Sequence, residues 1–129
     1  MKLRIRGNSV RVRLDRKDLA ELLEHGRVLD VLRFGPSSNH TFTYAVVAGS
    51  APPGRPHAQY YAGLLVVTID FGDAREWAAG EQVGFDHALA VEGGTVRVIL
   101  EKDFACLDRP AADAVEDAWA FPNPLGVCR

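Results

Sequence analysis

The sequence predicts an α+β domain, mostly β, built from two β-β-α-β-β modules in one chain. Three observations lead there. Short runs such as "KLRIR", "SVRVRL" and "TVRVIL" alternate apolar with polar residues, the period of a half-buried strand. Two helical stretches share one pattern, Asp15-x-x-Asp18-x-x-Glu21-Leu22 and Asp70-x-x-Asp73-x-x-Glu76-Trp77, at an offset of 70 − 15 = 55. Each is preceded by a strand run and followed by strand, turn and strand. The 129 residues are 47% apolar and 25% charged, which suits one domain with one core.

The first element is a hairpin. Leu3, Ile5, Val10, Val12 and Leu14 alternate with Lys2, Arg4, Arg6, Arg11 and Arg13, and Gly7-Asn8 is a turn signal between them. A two-residue loop sets Arg6 opposite Ser9, Arg4 opposite Arg11 and Lys2 opposite Arg13. One face is then apolar and the other carries five cations. Like charges across a ladder repel, so that face calls for solvent, a polyanion or an acidic partner.

Asp15 follows as an N-cap with Asp18 at N3, Leu19, Leu22 and Leu23 form one stripe, and Gly26 ends the helix. "RVLDVLRF", the turn "GPSSN" and "HTFTYAVV" complete module one, residues 1–47. The Pro- and Gly-containing stretch 48–59 reads as the linker. Module two, residues 60–103, opens on "QYYAG", its least defined strand, and continues with "LLVVTI" and a helix capped by Asp70 and stopped by Gly80. "QVGFDHALAV", "EGG" and "TVRVILEKD" close it, with Val83 placed at the same offset from Val28. Capping Asp and first-turn acids explain the repeated D-x-x-D-x-x-E better than metal ligation does, because they complement the helix dipole.

The net charge is −2, yet residues 1–17 hold seven cations against Asp15 alone, while residues 101–129 hold six acids against three cations. In the tail, residues 104–129, Trp119 and Phe121 lie in an acidic stretch where Pro122 and Pro124 forbid regular helix. The tail has two uses open to it. It can dock on its own barrel, setting Asp113, Glu116 or Asp117 near the arginines, or it can serve as a peptide that binds a partner protein.

Little in the chain speaks for catalysis. It lacks G-x-S-x-G, a phosphate-cradling glycine loop and H-E-x-x-H. His25, His40, His57 and His87 are scattered, and Cys106 and Cys128 form no C-x-x-C. Asp86 and His87 are strand neighbours pointing to opposite faces, so they are not a dyad. No catalytic residue, metal or cofactor is assigned. The rival reading is a small enzyme or ligand-binding barrel with a pocket between the modules. No apolar run approaches the ~18 residues of a membrane span, and the arginine-rich start is unlike a signal peptide. The expected compartment is the cytoplasm, with no membrane partner.

The stretch Gly7-Asn8-Ser9-Val10-Arg11-Val12-Arg13-Leu14, with the helix carrying Leu19, Leu22 and Leu23, resembles the N-terminal domain of AbrB-type transcription regulators and MazE-type antitoxins. The likeness covers roughly residues 1–46 and, more faintly, 63–103. It implies a bacterial swapped-hairpin β-barrel, normally made by two chains and here by one duplicated chain. It also implies duplex DNA as ligand, contacted around the turn by Arg6, Asn8, Ser9, Arg11 and Arg13, with Arg4 beside them on phosphates. Asp15 stands where that family often has Pro, and module two lacks G-N-S, so only one basic edge is present. The segments E-K-D-F-x-C-L (101–107) and F-P-N-P (121–124) are similar to those of small bacterial proteins of unknown function.

Overall fold

The computed structural model describes residues 1–104. Trp119, Phe121, Cys106, Cys128 and every expectation placed on the tail lie outside the described residues. The chain runs β1 (Lys2–Arg6), β2 (Ser9–Leu14), α1 (Arg16–His25), β3 (Arg27–Arg33), a 3-10 turn (Ser38–His40) and β4 (Thr41–Gly49). It continues with β5 (His57–Tyr61), β6 (Leu64–Asp70), α2 (Phe71–Ala79), β7 (Gly84–Val91) and β8 (Gly94–Lys102). The domain is α+β and mostly β, and its two halves have the same connectivity.

The strands form two four-stranded sheets, ordered β1-β2-β8-β7 and β3-β4-β6-β5. We call them sheet A and sheet B. Each takes one hairpin from each half, joined by a parallel central pair: β2 with β8 and β4 with β6. The halves are thereby interlocked, because removing either would leave both sheets with a bare edge. Matching hydrogen bonds start the two parallel pairs, from Arg97 N–H to Asn8 O at 3.1 Å and from Thr43 N–H to Gly63 O at 2.8 Å.

Alternation decides which residues meet between the sheets. Val10, Val12 and Leu14 of β2, Val98 and Leu100 of β8, Val46 of β4, and Val67 and Ile69 of β6 are buried together with Leu19, Leu22, Ala74 and Trp77 of the helices. Trp77 is fully enclosed, its ring edge-on to Phe85 at 5.5 Å and its indole N–H donating to Val83 O at 3.2 Å. A buried indole needs such an acceptor.

Both helices start as their sequences dictate. Asp15 accepts from Asp18 N–H at 2.8 Å, and Asp18 accepts from Asp15 N–H at 3.0 Å, a reciprocal capping box. Asp70 accepts from Asp73 N–H at 3.0 Å. The acids of the repeated motif thus have structural work at both helix starts. Gly26 ends α1 at φ 75°, a left-handed conformation that favours glycine.

Four details differ from the sequence reading. The 55-residue offset joins Asp15 to Asp70 and Leu22 to Trp77 but ends with the helices. Val28 pairs with Val46 as Phe85 pairs with Leu100, so the partner of Val28 is Phe85, not Val83 (85 − 28 = 57). Val83 is exposed and Phe85 buried, because extra residues after α2 shift the frame. Strand pairing also enters the stretch read as linker: β4 reaches Gly49 and β5 begins at His57, whereas Ala62-Gly63 is the turn. The last strand of module one, β4, starts at Thr41 and not at His40, which closes the 3-10 turn. Ile5, expected on the apolar face, is 65% exposed; it lies on β1, an edge strand with no neighbour on its outer side among the described residues.

Candidate nucleic-acid interface

The pairing of β1 with β2 has the register expected of a two-residue loop: Lys2 with Arg13, Arg4 with Arg11, and Arg6 with Ser9. Gly7 has φ 53°, which suits the first loop position of a type II′ turn. Since Val10, Val12 and Leu14 face the core, Arg11 and Arg13 face outward, and their β1 partners share that face. Asn8 and Ser9 act within the chain. Asn8 Nδ2 donates to Thr95 O at 2.6 Å, tying the turn to the start of β8, and Ser9 Oγ donates to Arg6 O at 2.7 Å.

The tertiary structure adds a third strand to this face. β8 lies parallel to β2, with Arg97 beside Ser9, Ile99 beside Arg11, and Glu101 beside Arg13. Arg97 is therefore a sixth cation, contributed by the other half of the chain. Arg4, Arg6, Ser9, Arg11 and Arg97 surround a cavity of about 40 Å3 with Ile99 in its lining. Ile99 is only 7% exposed although it points away from the main core, so it forms an apolar floor beneath charged walls.

Carboxylates border the same face. Glu101 Oε1 accepts from Arg13 Nε at 2.9 Å and lies 3.5 Å from Arg11 Nε. Asp86 on β7 accepts two hydrogen bonds from Arg97, at 2.9 and 2.5 Å. That forked contact holds the Asp86 carboxyl below its usual range, against a smaller opposing effect of burial. Lys2 Nζ lies 2.8 Å from Asp103. Among the described residues, six cations thus meet three carboxylates on one sheet face, and the acids sit toward the β7 side and the Leu14 end. Such pairs straighten arginine stems and fix where the guanidinium groups stand.

All six residues singled out in the sequence, Arg4, Arg6, Asn8, Ser9, Arg11 and Arg13, come together here. Arg97, Asp86 and Glu101 were missed as members of the site. Alternation in "TVRVILEK" does place Arg97 and Glu101 on one face of their strand, but nothing local says that this strand lies beside β2. Asp86 and His87 do face opposite ways: Asp86 holds Arg97, while the His87 ring lies near that of His57, with centroids 6.4 Å apart.

A second concave region lies at the far end of sheet B. Phe34, His40, Phe42, Tyr60 and the Ala62-Gly63 turn line an open groove of about 440 Å3. Ser37 Oγ and His40 Nδ1 are 3.0 Å apart at its margin. Among the described residues no group of three or more His, Cys, Asp or Glu side chains is placed to hold a metal ion. No helix among them is long and apolar enough to cross a membrane.

Comparison with curated proteins and with solved structures gave no match. A family model does match, over residues 1–125, which is nearly the whole chain, both halves and most of the tail included. The protein accordingly belongs to DUF7009, a family of unknown function.

Proposed function

We propose that this protein is a non-enzymatic binding protein that holds a polyanion, duplex DNA foremost, on the outer face of sheet A. The carrying observation is the six-cation surface assembled from three adjacent strands and both halves of the chain. In this reading Arg4, Arg6, Arg11, Arg13 and Arg97 contact phosphates, and Asn8 and Ser9 hold the turn that presents them. The resemblance to AbrB-type regulators and MazE-type antitoxins supports the same reading, and with it a swapped-hairpin barrel closed by one duplicated chain, acting in a bacterial cytoplasm. Sheets that each take a hairpin from both halves are what such a barrel needs. A single basic face gives fewer phosphate contacts than a symmetric pair would, so binding is weak and strongly salt-dependent.

The test is fluorescence anisotropy with a labelled DNA duplex across a salt series. Binding is expected at low salt. The double substitution Arg4→Gln/Arg11→Gln should weaken it and flatten the log–log salt slope by about 0.9 for each phosphate that is no longer neutralised. Absence of duplex binding by the wild-type chain at low salt ends this reading.

The groove at the far end of sheet B favours a second reading, a ligand-binding barrel. Its volume falls in the range of ~300–1,000 Å3 common for small-molecule sites, and residues of both halves line it. Its aromatic walls suit a flat apolar ligand. Quenching of bound dye fluorescence that is lost in Phe34→Ala or Tyr60→Ala identifies that site.

A further inference from the structure

We propose that the acidic stretch between Asp108 and Asp117 of this chain docks across the arginine face of sheet A and competes there with external polyanions. The inference rests on the polyanion reading of that face and adds its regulation. Three observations carry it.

The first is charge. Asp108, Asp113, Glu116 and Asp117 stand against Arg109 alone within that stretch, opposite a face with three more cations than carboxylates among the described residues. The second is reach. The described chain ends at Phe104, just past Asp103, whose N–H donates to Leu14 O and whose carboxylate meets Lys2. The tail therefore departs from the Leu14 end of the same sheet. From there Arg97 lies six residues back along β8, roughly 20 Å at ~3.3 Å per residue. Asp108 and Asp113 are four and nine residues beyond Phe104, so an extended segment brackets that distance at ~3.3–3.6 Å per residue. The third is the extent of the family, whose model continues through this acidic stretch to residue 125. The region matched by the family model thus spans this stretch as well as the arginine hairpin.

The small cavity among Arg4, Arg6, Arg11 and Arg97 is of a size to take one oxyanion group over the apolar Ile99 floor. A carboxylate and a phosphate make the same demand of it. Competition between them follows without any change in fold. A tethered segment acts at millimolar effective concentration, so modest affinity suffices to occupy the face.

The experiment uses the full chain with Asp108→Asn, Asp113→Asn, Glu116→Gln and Asp117→Asn, together with a fluorescent peptide of residues 105–121. The peptide is expected to bind this amide variant at least tenfold more tightly than it binds the wild-type chain, whose own segment competes. Adding Arg4→Gln/Arg11→Gln, or Arg6→Gln/Arg97→Gln if the first pair lowers the melting temperature, should abolish peptide binding. Equal binding of the peptide to wild type and amide variant, or binding that survives both arginine pairs, overturns the proposal. A labelled duplex forms the second arm, with at least fivefold tighter binding to the amide variant expected. Equal duplex affinity for the two chains overturns the competition. Peptide behaviour as expected with duplex binding to neither chain leaves the docked tail standing and removes the polyanion reading instead.

Discussion

The outer faces of sheets A and B share one strand plan and differ at nearly every position. Strand pairing aligns them: Arg4–Arg11 occupies the place of Gln59–Val66, Arg6–Ser9 that of Tyr61–Leu64, and Lys2–Arg13 that of His57–Thr68. On the next strands Arg97 corresponds to Thr43, Glu101 to Val47, and the pair Asp86–Ile99 to Leu29–Ala45. Ile99 and Ala45 are both 7% exposed, so even the buried centre of each outer face is kept. Sheet B retains cations only toward the ends of its edge strand, at Arg27 and Arg33. Its exposed face is otherwise largely aliphatic and aromatic, including Leu29, Val31, Tyr61 and Leu64. The inward faces, by contrast, carry valine, leucine and isoleucine in both sheets. Core packing constrains one side of each strand and leaves the other to function. The two sheets, each built from both halves, thus differ chiefly on their outer faces.

The largest expected effect tests the shared core beneath both faces. Trp77 stands where Leu22 stands in the first half, and both are fully enclosed. Trp77→Ala should cost about 3–5 kcal/mol, since deletion of a large buried ring loses its burial and leaves a cavity. Chemical denaturation should show both sheets lost in one transition. Separate transitions for the two sheets would mean that the interlocked hairpins do not act as one unit.

An intermediate effect comes from moving charge to the other face. Gln59→Arg with Tyr61→Arg places cations at the positions corresponding to Arg4 and Arg6, both on an exposed edge strand. Stability should change by no more than about 0.5 kcal/mol per site. Duplex binding should strengthen, with a salt slope steeper by roughly 1–2. If the grafted face binds no better at low salt, net charge alone is not what the natural face supplies, and the Arg11–Arg97–Ile99 arrangement is required.

The smallest effect concerns Asp86, the acid whose place on sheet B is taken by Leu29. Arg97 lowers the Asp86 pKa, so the pair's stabilisation is present above the unfolded carboxyl value of ~3.9 and is lost as pH falls through the lower folded value. The pair is half exposed, and screening limits it to about 0–1 kcal/mol. Asp86→Asn should therefore lower the melting temperature slightly at pH 6, and the difference should shrink as pH falls below the unfolded carboxyl value of ~3.9. It also removes a negative charge beside Arg97, and duplex binding should tighten. A melting difference that persists unchanged at pH 2 would assign the effect to something other than this ion pair.

Local rules made several elements legible in the chain itself: the Gly7-Asn8 turn, the register of the arginine hairpin, both Asp caps and the two-module order. Each depends on residues within a few positions of one another, where turn geometry, capping and side-chain period act directly. The constant offset misled beyond the helices. Val83 and Phe85 both suit a strand, and only burial against Leu100 decides which one takes the place of Val28. Even the candidate site was half legible, with Arg4, Arg6, Arg11 and Arg13 marked by alternation and Arg97, Asp86 and Glu101 hidden in the other half of the chain.

By itself, then, the sequence determined which side of each strand is apolar and where the helices begin, because side-chain period and capping are short-range. Only the tertiary structure decided that β8 of one half lies parallel to β2 of the other. Parallel pairing joins distant segments and leaves no turn between them to read. What selects it is the joint burial of Val10, Val12, Val98 and Leu100 in a core that neither half could close alone.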